Sequence, residues 1–425
     1  MPSPDSRSRK IDIILLSLIL ALGIFLRLPP HTFATDGSLH SIAAAHPGSK
    51  MEGVGFDEGM YRGYLITLID GGLHAYPQIV EHYIELQQRV QRSVLPPVRF
   101  LYLFCGYLWH QLFGSEPLAA LKDVSAVMTM LTLFASTIFA WRLRGRTWAL
   151  AIAALMALAP TQLHMSQHAL IDGFFAFWAL LCLWFFWENL RAPRHWPWLS
   201  AYILSLALLV LTKENAFFVW VAIVVLIVAN RWLKFGTATL ELLLATILGP
   251  LIGVVILAFF AGGVSNLVAA YQAFVTKAPQ FSYAIITGDG PWYRYLVDLF
   301  LVSPIILILA FGTLFRLDRE MKPELFMSIF IVTSYLLMCN VKYGMNLRYA
   351  NMWDMPLRFL AFSQIVAMAS WAKQYRTVII AAAVIFLAAI EFHQYIILAV
   401  RYPLYELITR DLLQALHILK YPVQP

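Results

Sequence analysis

Residues 197–233 have the sequence PWLSAYILSLALLVLTKENAFFVWVAIVVLIVANRWL, two apolar runs joined by the charged turn Thr212-Lys213-Glu214-Asn215. Each run is barely as long as the roughly 20 residues that a helix needs to cross a bilayer. A hairpin this short places its tip at or below the membrane surface. Charges at that depth need partners, so the turn predicts either a polar site or simple pairing of Lys213 with Glu214.

The composition of the whole chain is that of a polytopic membrane protein. Of its 425 residues, 13% are charged and 60% are hydrophobic, and the mean hydropathy is +0.70. Soluble domains carry about 25% charged residues, so a single water-soluble core and a disordered chain are both excluded. The net charge of +7 comes from Lys and Arg in short clusters between apolar runs, as the positive-inside rule places them. We therefore expect no nucleic-acid partner.

The pattern of apolar runs predicts an all-α bundle of about eleven transmembrane helices. The first run follows three basic residues and carries Arg27 and Pro29-Pro30 where a cleavage site would need small residues, so we expect an uncleaved helix. The runs of near-spanning length are 11–29, 118–141, 147–165, 169–189, 197–212, 216–233, 239–262, 292–316, 322–340, 351–371 and 376–399.

Residues 97–113 (PVRFLYLFCGYLWHQLF) decide the topology, because they are apolar enough to cross but carry polar residues at both ends. If they span, the basic clusters that follow residue 141 fall outside. If they lie along the outer interface, those clusters return to the cytoplasm with the N-terminus. We therefore predict an interfacial or re-entrant helix here, with a true span as the alternative.

This topology predicts one membrane domain, 1–400, and a short extracytoplasmic amphipathic tail, 401–425. The domain includes an extracytoplasmic loop, 30–117, with juxtamembrane helices, one of them starting near Pro77. Apolar residues at helical spacing mark that helix and the tail. They are Ile79, Tyr83, Leu86 and Val90 in the helix, and Leu404, Leu407, Ile408, Leu412, Leu416 and Leu419 in the tail.

Charged residues at the outer ends of the spans are the candidate site residues, because lipid tolerates charges only near a polar cavity or a partner. Two of these positions are acidic. Asp57-Glu58 follows the first helix, and Asp172 lies at the outer end of a span. Both have a structural alternative, since acids are favoured in the first turn of a helix or as its cap.

Cations occur at two further outer positions, Lys213 and the segment Lys342 to Arg348-Tyr349. Cations outside run against the charge bias and suggest an anion to bind. Snorkelling to lipid phosphates is the alternative. Acids can activate an acceptor hydroxyl and cations can stabilise a leaving phosphate, so together they indicate group transfer from a lipid-phosphate donor.

Several motifs then resemble, in order, those of the GT-C superfamily of polyprenyl-phosphate-dependent glycosyltransferases, particularly the protein O-mannosyltransferase and lipid A aminoarabinose transferase branch. They are Asp57-Glu58-Gly59-Met60-Tyr61, Pro96-Pro97 with Phe113-Gly114-Ser115-Glu116, Pro160 with Ala169-Leu170-Ile171-Asp172, Leu211-Thr212-Lys213, Gly290-Pro291-Trp292-Tyr293, and Leu347-Arg348-Tyr349 with Pro356. Each is weak alone, but six in register over residues 57–356 are specific.

The resemblance implies a GT-C-like bundle and assigns roles to the matching residues. Asp57 would be the acceptor base or acceptor-binding acid, supported by Glu58 and Asp172. The donor phosphate would lie near the cations. The expected donor-phosphate residues are Lys213, Arg348 and Tyr349, and the expected substrate-binding residues are Tyr61, Arg62, Trp292 and Tyr293.

The resemblance also implies a multi-pass protein of a bacterial-type inner membrane, with the N-terminus in the cytoplasm and the site facing the periplasm or exterior. The partners would be a polyprenyl-phosphate sugar donor, membrane lipids and a lipid, glycan or protein acceptor. The family's metal-binding Glu and His are replaced by Val94-Leu95 and Thr287-Gly288-Asp289, so we expect no metal ligands, and a divalent metal stays an open alternative.

We therefore expect an inverting membrane glycosyltransferase. A lipid or sugar-lipid transporter or flippase would use the same buried charges along a path. Transporters commonly contain repeated halves, and no such repeat is visible in the sequence. A catalytically inactive scaffold with the GT-C fold is the third alternative.

Overall fold

A computed structural model describes residues 4–33, 41, 46–47, 54–90, 94–277, 288–342, 344–401, 408 and 410–419. The helices of the first half are α1 (Pro4–Phe25), α2 (Phe56–Gly71), α3 (Tyr76–Arg89), α4 (Phe100–Phe113), α5 (Pro117–Arg144), α6 (Arg146–Ala157), α7 (Pro160–Gln167), α8 (Ile171–Arg191) and α9 (Trp196–Thr212). Those of the second half are α10 (Ala216–Leu233), α11 (Leu240–Phe260), α12 (Val264–Lys277), α13 (Arg294–Val302), α14 (Pro304–Leu314), α15 (Lys322–Met338), α16 (Asp354–Ala369), α17 (Arg376–Tyr395) and α18 (Arg410–Ala415).

Shorter helical segments complete the described chain. They are 3₁₀-helices at Pro30–Phe33, Leu73–Ala75, Leu347–Trp353 and Lys373–Tyr375, and a π-helix at Ile396–Arg401. The 3₁₀-helix Leu347–Trp353 carries Arg348 and Tyr349 between α15 and α16.

Local sequence explains how the helices begin and end. Gly114 ends α4 with a left-handed φ of 65°, a conformation that favours glycine. Two residues later, Glu116 caps α5 by accepting the backbone N–H of Leu118 and Ala119, and Pro117 occupies the first helical position. The chain therefore breaks between α4 and α5, which are two separate helices and not one continuous span.

Five described helices are long and apolar enough to cross a membrane, and the pair α6 and α7 adds a sixth if it counts as one broken span. The predicted span 147–165 is this pair, bent by 53° before Pro160. The predicted span 292–316 is likewise divided into α13 and α14 by Pro304. Proline ends the preceding helix in both places, because it lacks an N–H and clashes with the previous turn. The count of eleven spans stays a prediction.

The buried apolar side chains form two clusters. The larger one is the core of the membrane bundle, around α5 to α10 and α13 to α17. The smaller cluster packs α2, α3, α4 and α12 over the ends of α5, α8 and α11. The predicted helix at Pro77 is α3, and its Ile79 and Tyr83 are buried in this second cluster.

Two short helices, α4 and α18, belong to the segments that are predicted to lie outside the membrane. Helix α4 has 14 residues, about 21 Å at 1.5 Å per residue, less than the roughly 30 Å hydrocarbon core. The predicted tail is represented by α18 and its neighbours. Of its predicted apolar face, Leu404 and Leu407 lie outside the described residues, whereas Ile408 and Leu419 are buried.

Candidate active site

Glu58 joins two distant segments through its carboxylate. It lies in the first turn of α2, where Oε2 accepts the N–H of Gly55 at 2.8 Å. Its Oε1 accepts the N–H of Ala169 at 2.7 Å and lies 3.4 Å from Nδ1 of His168. The side chain is completely buried. Both oxygens thus have protein partners, so Glu58 holds the start of α2 against the loop before α8.

The pKa of Glu58 reflects these contacts. Burial alone would raise it, but His168 and the two backbone N–H groups stabilise the carboxylate and lower the pKa from its ordinary value of 4.5 to about 2. The structural alternative for the Asp-Glu pair, an acid in the first turn of a helix, therefore describes Glu58 well.

Asp57 points to a different partner, Arg348. Its Oδ2 accepts Nη1 of Arg348 at 2.9 Å, although the two residues are 291 positions apart in sequence. The side-chain oxygen of Asn346 accepts the N–H of Arg348 at 3.0 Å and so begins the 3₁₀-helix that carries this arginine. Arg348 is 6% exposed. Snorkelling to lipid phosphates is thus wrong for Arg348, whereas Lys342 is exposed.

Asp172 and Lys213 form the second ion pair of the site. Nζ of Lys213 lies 2.5 Å from Oδ1 of Asp172, and both side chains are buried. The same Nζ lies 3.7 Å from the ring centroid of Tyr349, a cation–π contact. Oδ2 of Asp172 is 3.9 Å from Nε of Arg348, which connects the two ion pairs. We call Asp57, Arg348, Asp172 and Lys213 the outer network.

The interpretation that Lys213 pairs with its neighbour Glu214 is wrong. Glu214 instead accepts Nη2 of Arg99 at 2.7 Å, and Nη1 of Arg99 donates to the hydroxyl of Tyr61. The extended backbone at Lys213 directs the two side chains to different partners. Sequence reasoning missed the Arg99–Glu214 pair, although an arginine two residues after Pro97, at the start of an apolar stretch, was an available signal.

Three predicted substrate-binding residues lie away from this network. Arg62 donates to Glu116 at 2.9 Å, and both side chains are about half exposed. Trp292 and Tyr293 are 62% and 39% exposed, with ring centroids 5.6 Å apart. Among the described contacts, none joins these three side chains to the outer network. Tyr61 accepts a hydrogen bond from Arg99, whose ion-pair partner Glu214 directly follows Lys213 in sequence.

No group of three or more His, Cys, Asp or Glu side chains suited to a metal ion occurs among the residues that the structure describes. The charged side chains of the outer network can support acid–base and electrostatic chemistry, since carboxylates can accept a proton and cations can stabilise an anion.

The described helices define an all-α protein in which several helices are apolar enough to cross a membrane. Residues 73–282, just under half of the chain, match the model of the family described as dolichyl-phosphate-mannose-protein mannosyltransferase. No curated protein matches the sequence.

Solved structures agree with this class. The chain is similar to ArnT from Cupriavidus metallidurans in the apo state, with a TM-score of 0.54, 16% identity, and coverage of 88% of this chain and 64% of that one. It is also similar to the apo oligosaccharyltransferase from Archaeoglobus fulgidus, with a TM-score of 0.58, 15% identity, and coverage of 93% and 55%.

A further structure is AglB from Archaeoglobus fulgidus in complex with an inhibitory peptide and a dolichol-phosphate. It has a TM-score of 0.54 and 14% identity, with coverage of 94% of this chain and 56% of that one. These matches confirm the GT-C resemblance that the motifs predicted. The chain spans between about half and two thirds of the length of these proteins.

Proposed function

We propose that this protein transfers a sugar from a polyprenyl monophosphate to a hydroxyl or phosphate acceptor on the extracytoplasmic face of a bacterial-type inner membrane. The observation that carries the proposal is the outer network, in which two acids and two cations from four distant segments meet in one buried cluster. The family description and the dolichol-phosphate in the AglB complex support a polyprenyl-phosphate donor.

The proposed reaction is one displacement at the anomeric carbon of the sugar. The acceptor oxygen forms a bond to this carbon, the bond from the carbon to the phosphate oxygen breaks, and polyprenyl phosphate leaves. Asp57 takes the proton of an acceptor hydroxyl, and Lys213 and Arg348 stabilise the leaving phosphate. One displacement inverts the configuration. For a phosphate acceptor that is already ionised, Asp57 would position the acceptor instead.

The ion pairs of the outer network suggest how the donor enters. Both cations are neutralised by an acid, Arg348 by Asp57 and Lys213 by Asp172. A phosphate therefore competes with these carboxylates for the same donors. When the phosphate takes over contacts of Arg348, the carboxylate of Asp57 is released from this ion pair and can accept a hydrogen bond from the acceptor hydroxyl.

An apolar cavity supports a polyprenyl donor. A cavity of about 250 Å³ lies between α14 and α15, both of which pack against α16. Its walls are apolar and include Phe311, Ile331, Tyr335, Trp353 and Leu357. Trp353 belongs to the same 3₁₀-helix as Arg348, so we place the isoprenoid chain in this cavity and its phosphate at the outer network.

We retain the predicted topology within this proposal. The N-terminus is cytoplasmic, residues 1–400 form the GT-C domain, and the 401–425 tail lies outside. Helix α4 lies along the interface, which its length supports, because 14 residues are too few to span. Tyr61 lies one helical turn after Asp57 on α2, whereas Arg62, Trp292 and Tyr293 would contact only parts of a substrate that extend beyond the buried network.

The test is incubation of the purified protein in lipid vesicles with polyprenyl phosphates that carry radiolabelled sugars and with a membrane-lipid extract as acceptor. A transferase moves the label from the donor to a new product and releases polyprenyl phosphate. A flippase moves the labelled lipid across the vesicle unchanged, and an inactive scaffold does neither. Either of the last two results would refute the proposed function.

A further inference from the structure

A second polar cluster lies beside the outer network and is not used by the proposed reaction. It centres on the Arg99–Glu214 ion pair, with Nη2 of Arg99 2.7 Å from Oε1 of Glu214. Arg99 is 3% exposed, and the Glu214 side chain is 26% exposed. The pair joins the start of α4 to the turn between α9 and α10.

Three buried polar atoms of this cluster have no hydrogen-bond partner among the described residues: Nε of Arg99, Oε2 of Glu214 and the hydroxyl of Tyr83. Tyr83 is 1% exposed and belongs to α3. Buried polar groups almost always have partners, from protein, water or ligand. The cluster therefore offers a ligand three polar atoms: one cationic donor, one anionic acceptor and one hydroxyl.

Tyrosines surround these atoms. The Arg99 charge acts on the hydroxyls of Tyr64, Tyr83 and Tyr271, and the Glu214 charge acts on those of Tyr83 and Tyr271. The hydroxyl of Tyr64 is already bonded to the carbonyl of Leu95 at 2.6 Å. Each tyrosine offers an apolar ring together with a polar edge.

The charges of the cluster select between ligands. A bare anion would be repelled by the unpartnered carboxylate oxygen of Glu214, whereas a neutral hydroxyl can donate to it. Another hydroxyl oxygen can accept from Nε of Arg99 or from Tyr83. A sugar ring meets both requirements, because it carries several hydroxyls and its C–H faces can pack on aromatic side chains.

The cluster also lies next to the proposed phosphate site. Glu214 follows Lys213 directly, and Tyr61, which receives the Arg99 hydrogen bond, is one helical turn after Asp57 on α2. We propose that Arg99, Glu214 and Tyr83 form a carbohydrate subsite that holds a sugar ring by its hydroxyls while the outer network handles the phosphate. This assignment deepens the proposed function and rests on it.

The experiment compares equilibrium binding to the full chain in detergent micelles of bare polyprenyl phosphate, of polyprenyl phosphates carrying mannose, glucose or arabinose, and of the corresponding methyl glycosides. We expect at least one sugar to add roughly tenfold to the affinity of the wild-type protein. If the affinity rises only when the sugar is attached to the polyprenyl phosphate, the subsite binds the sugar of the donor. If the affinity rises when a methyl glycoside is added together with bare polyprenyl phosphate, the subsite binds a sugar of the acceptor.

Two variants test whether the cluster causes the increase in affinity that the sugar provides. Tyr83→Phe should reduce this increase roughly three- to tenfold, and Glu214→Gln, which removes a charged acceptor, should reduce it roughly tenfold or more. Tyr83→Phe should leave the affinity for bare polyprenyl phosphate unchanged. The matched control is Tyr395→Phe, which removes another buried hydroxyl without a described partner, far along the chain on α17, and should change nothing.

The absence of any sugar-dependent gain in the wild-type protein would overturn the subsite, and so would an equal gain in both variants. A failure of the subsite can be distinguished from a failure of the proposed function. If the radiolabel assay shows no transfer but the variants still abolish a sugar-dependent gain, the subsite stands and the transferase does not.

Discussion

Two buried charge networks meet at the segment that follows α15, and they are built differently. The outer network of Asp57, Asp172, Lys213 and Arg348 draws its groups from helix ends, a turn and a 3₁₀-helix. An inner network of Arg27, Asp354, Arg358 and Glu391 lies within the bundle. Asn351, three residues after Arg348, accepts a hydrogen bond from Gln162, which also donates to Asp354.

The inner network ties helices together. Arg358 bonds to Asp354 one turn earlier on α16 and to Glu391 on α17, and Ser303 donates to Glu391 at 2.9 Å. Arg27 donates to the carbonyls of Gly23, Met156 and Ala157. The last two carbonyls lie at the end of α6, where the helix stops before Pro160 and the guanidinium of Arg27 supplies side-chain donors.

The comparison separates two uses of buried charge. In the inner network one arginine serves backbone carbonyls and the other bridges two helices, so its groups stabilise the bundle. In the outer network the two cations are paired with the carboxylates of Asp57 and Asp172, and Asp57 and Arg348 retain 8% and 6% exposure. Substitutions in the outer network should therefore reduce transfer, and substitutions in the inner network should reduce stability.

The largest effect is expected from Asp57→Asn. It should lower kcat for a hydroxyl acceptor roughly 10²- to 10⁴-fold, because the amide cannot take the proton, while the protein stays folded. The measurement is transfer of labelled sugar together with thermal unfolding, with the exposed Asp318→Asn as the control. Wild-type turnover by Asp57→Asn would remove the proposed base.

Arg358→Met should have the largest effect on stability. It leaves Asp354 and Glu391 buried without their cation, which lowers the free energy of unfolding by about 3–5 kcal/mol. Thermal unfolding in detergent measures this change, against the exposed control Arg376→Met. Unchanged stability combined with lost transfer would assign Arg358 to catalysis and contradict the distinction between the two networks.

Glu58 should make stability dependent on pH. Because the pKa of Glu58 falls to about 2 on folding, its contribution is complete above its unfolded pKa of about 4.5 and is lost as the pH falls towards 2. The full contribution is about 3 kcal/mol. Glu58→Gln should flatten this part of the stability–pH curve, whereas Glu85→Gln, an exposed acid on α3, should not. Parallel curves for wild type and Glu58→Gln would refute the assignment.

Lys213→Ala should mainly weaken use of the donor. We expect KM for the sugar-lipid to rise roughly tenfold to a hundredfold, since a charge-assisted contact to phosphate contributes about 1.5–3 kcal/mol. The nearby Arg348 still offsets the charge of Asp172. Steady-state kinetics with varied donor measure this effect, with the exposed Lys373→Ala as the control. A change confined to the KM for the acceptor would show that Lys213 acts on the acceptor and not on the donor phosphate.

The smallest effect is expected from Arg62→Ala. Its ion pair with Glu116 is about half exposed, and such pairs contribute about 0–1 kcal/mol. Transfer of small donors and thermal stability should both stay close to wild type. A large loss of transfer would show that Arg62 belongs to the buried site after all.

The sequence predicted the outer network because its four charges stand out beside apolar spans. It did not predict the partners, since Lys213 and Glu214 are adjacent in sequence yet the extended backbone sends them to Asp172 and Arg99. The inner network was missed because Arg358 and Glu391 lie within helices whose apolar neighbours dominate the pattern. The breaks before Pro160 and Pro304 were visible as prolines, but continuous apolar composition outweighed them.

The proposed reaction is a single displacement, in which Asp57 is the base and Lys213 and Arg348 stabilise the leaving polyprenyl phosphate. The most direct measurement is the anomeric configuration of the transferred sugar, determined by NMR on the product made from a donor of known configuration. A product of inverted configuration is the predicted result. A product that retains the configuration of the donor would contradict the single displacement, because it requires two successive displacements or a different mechanism.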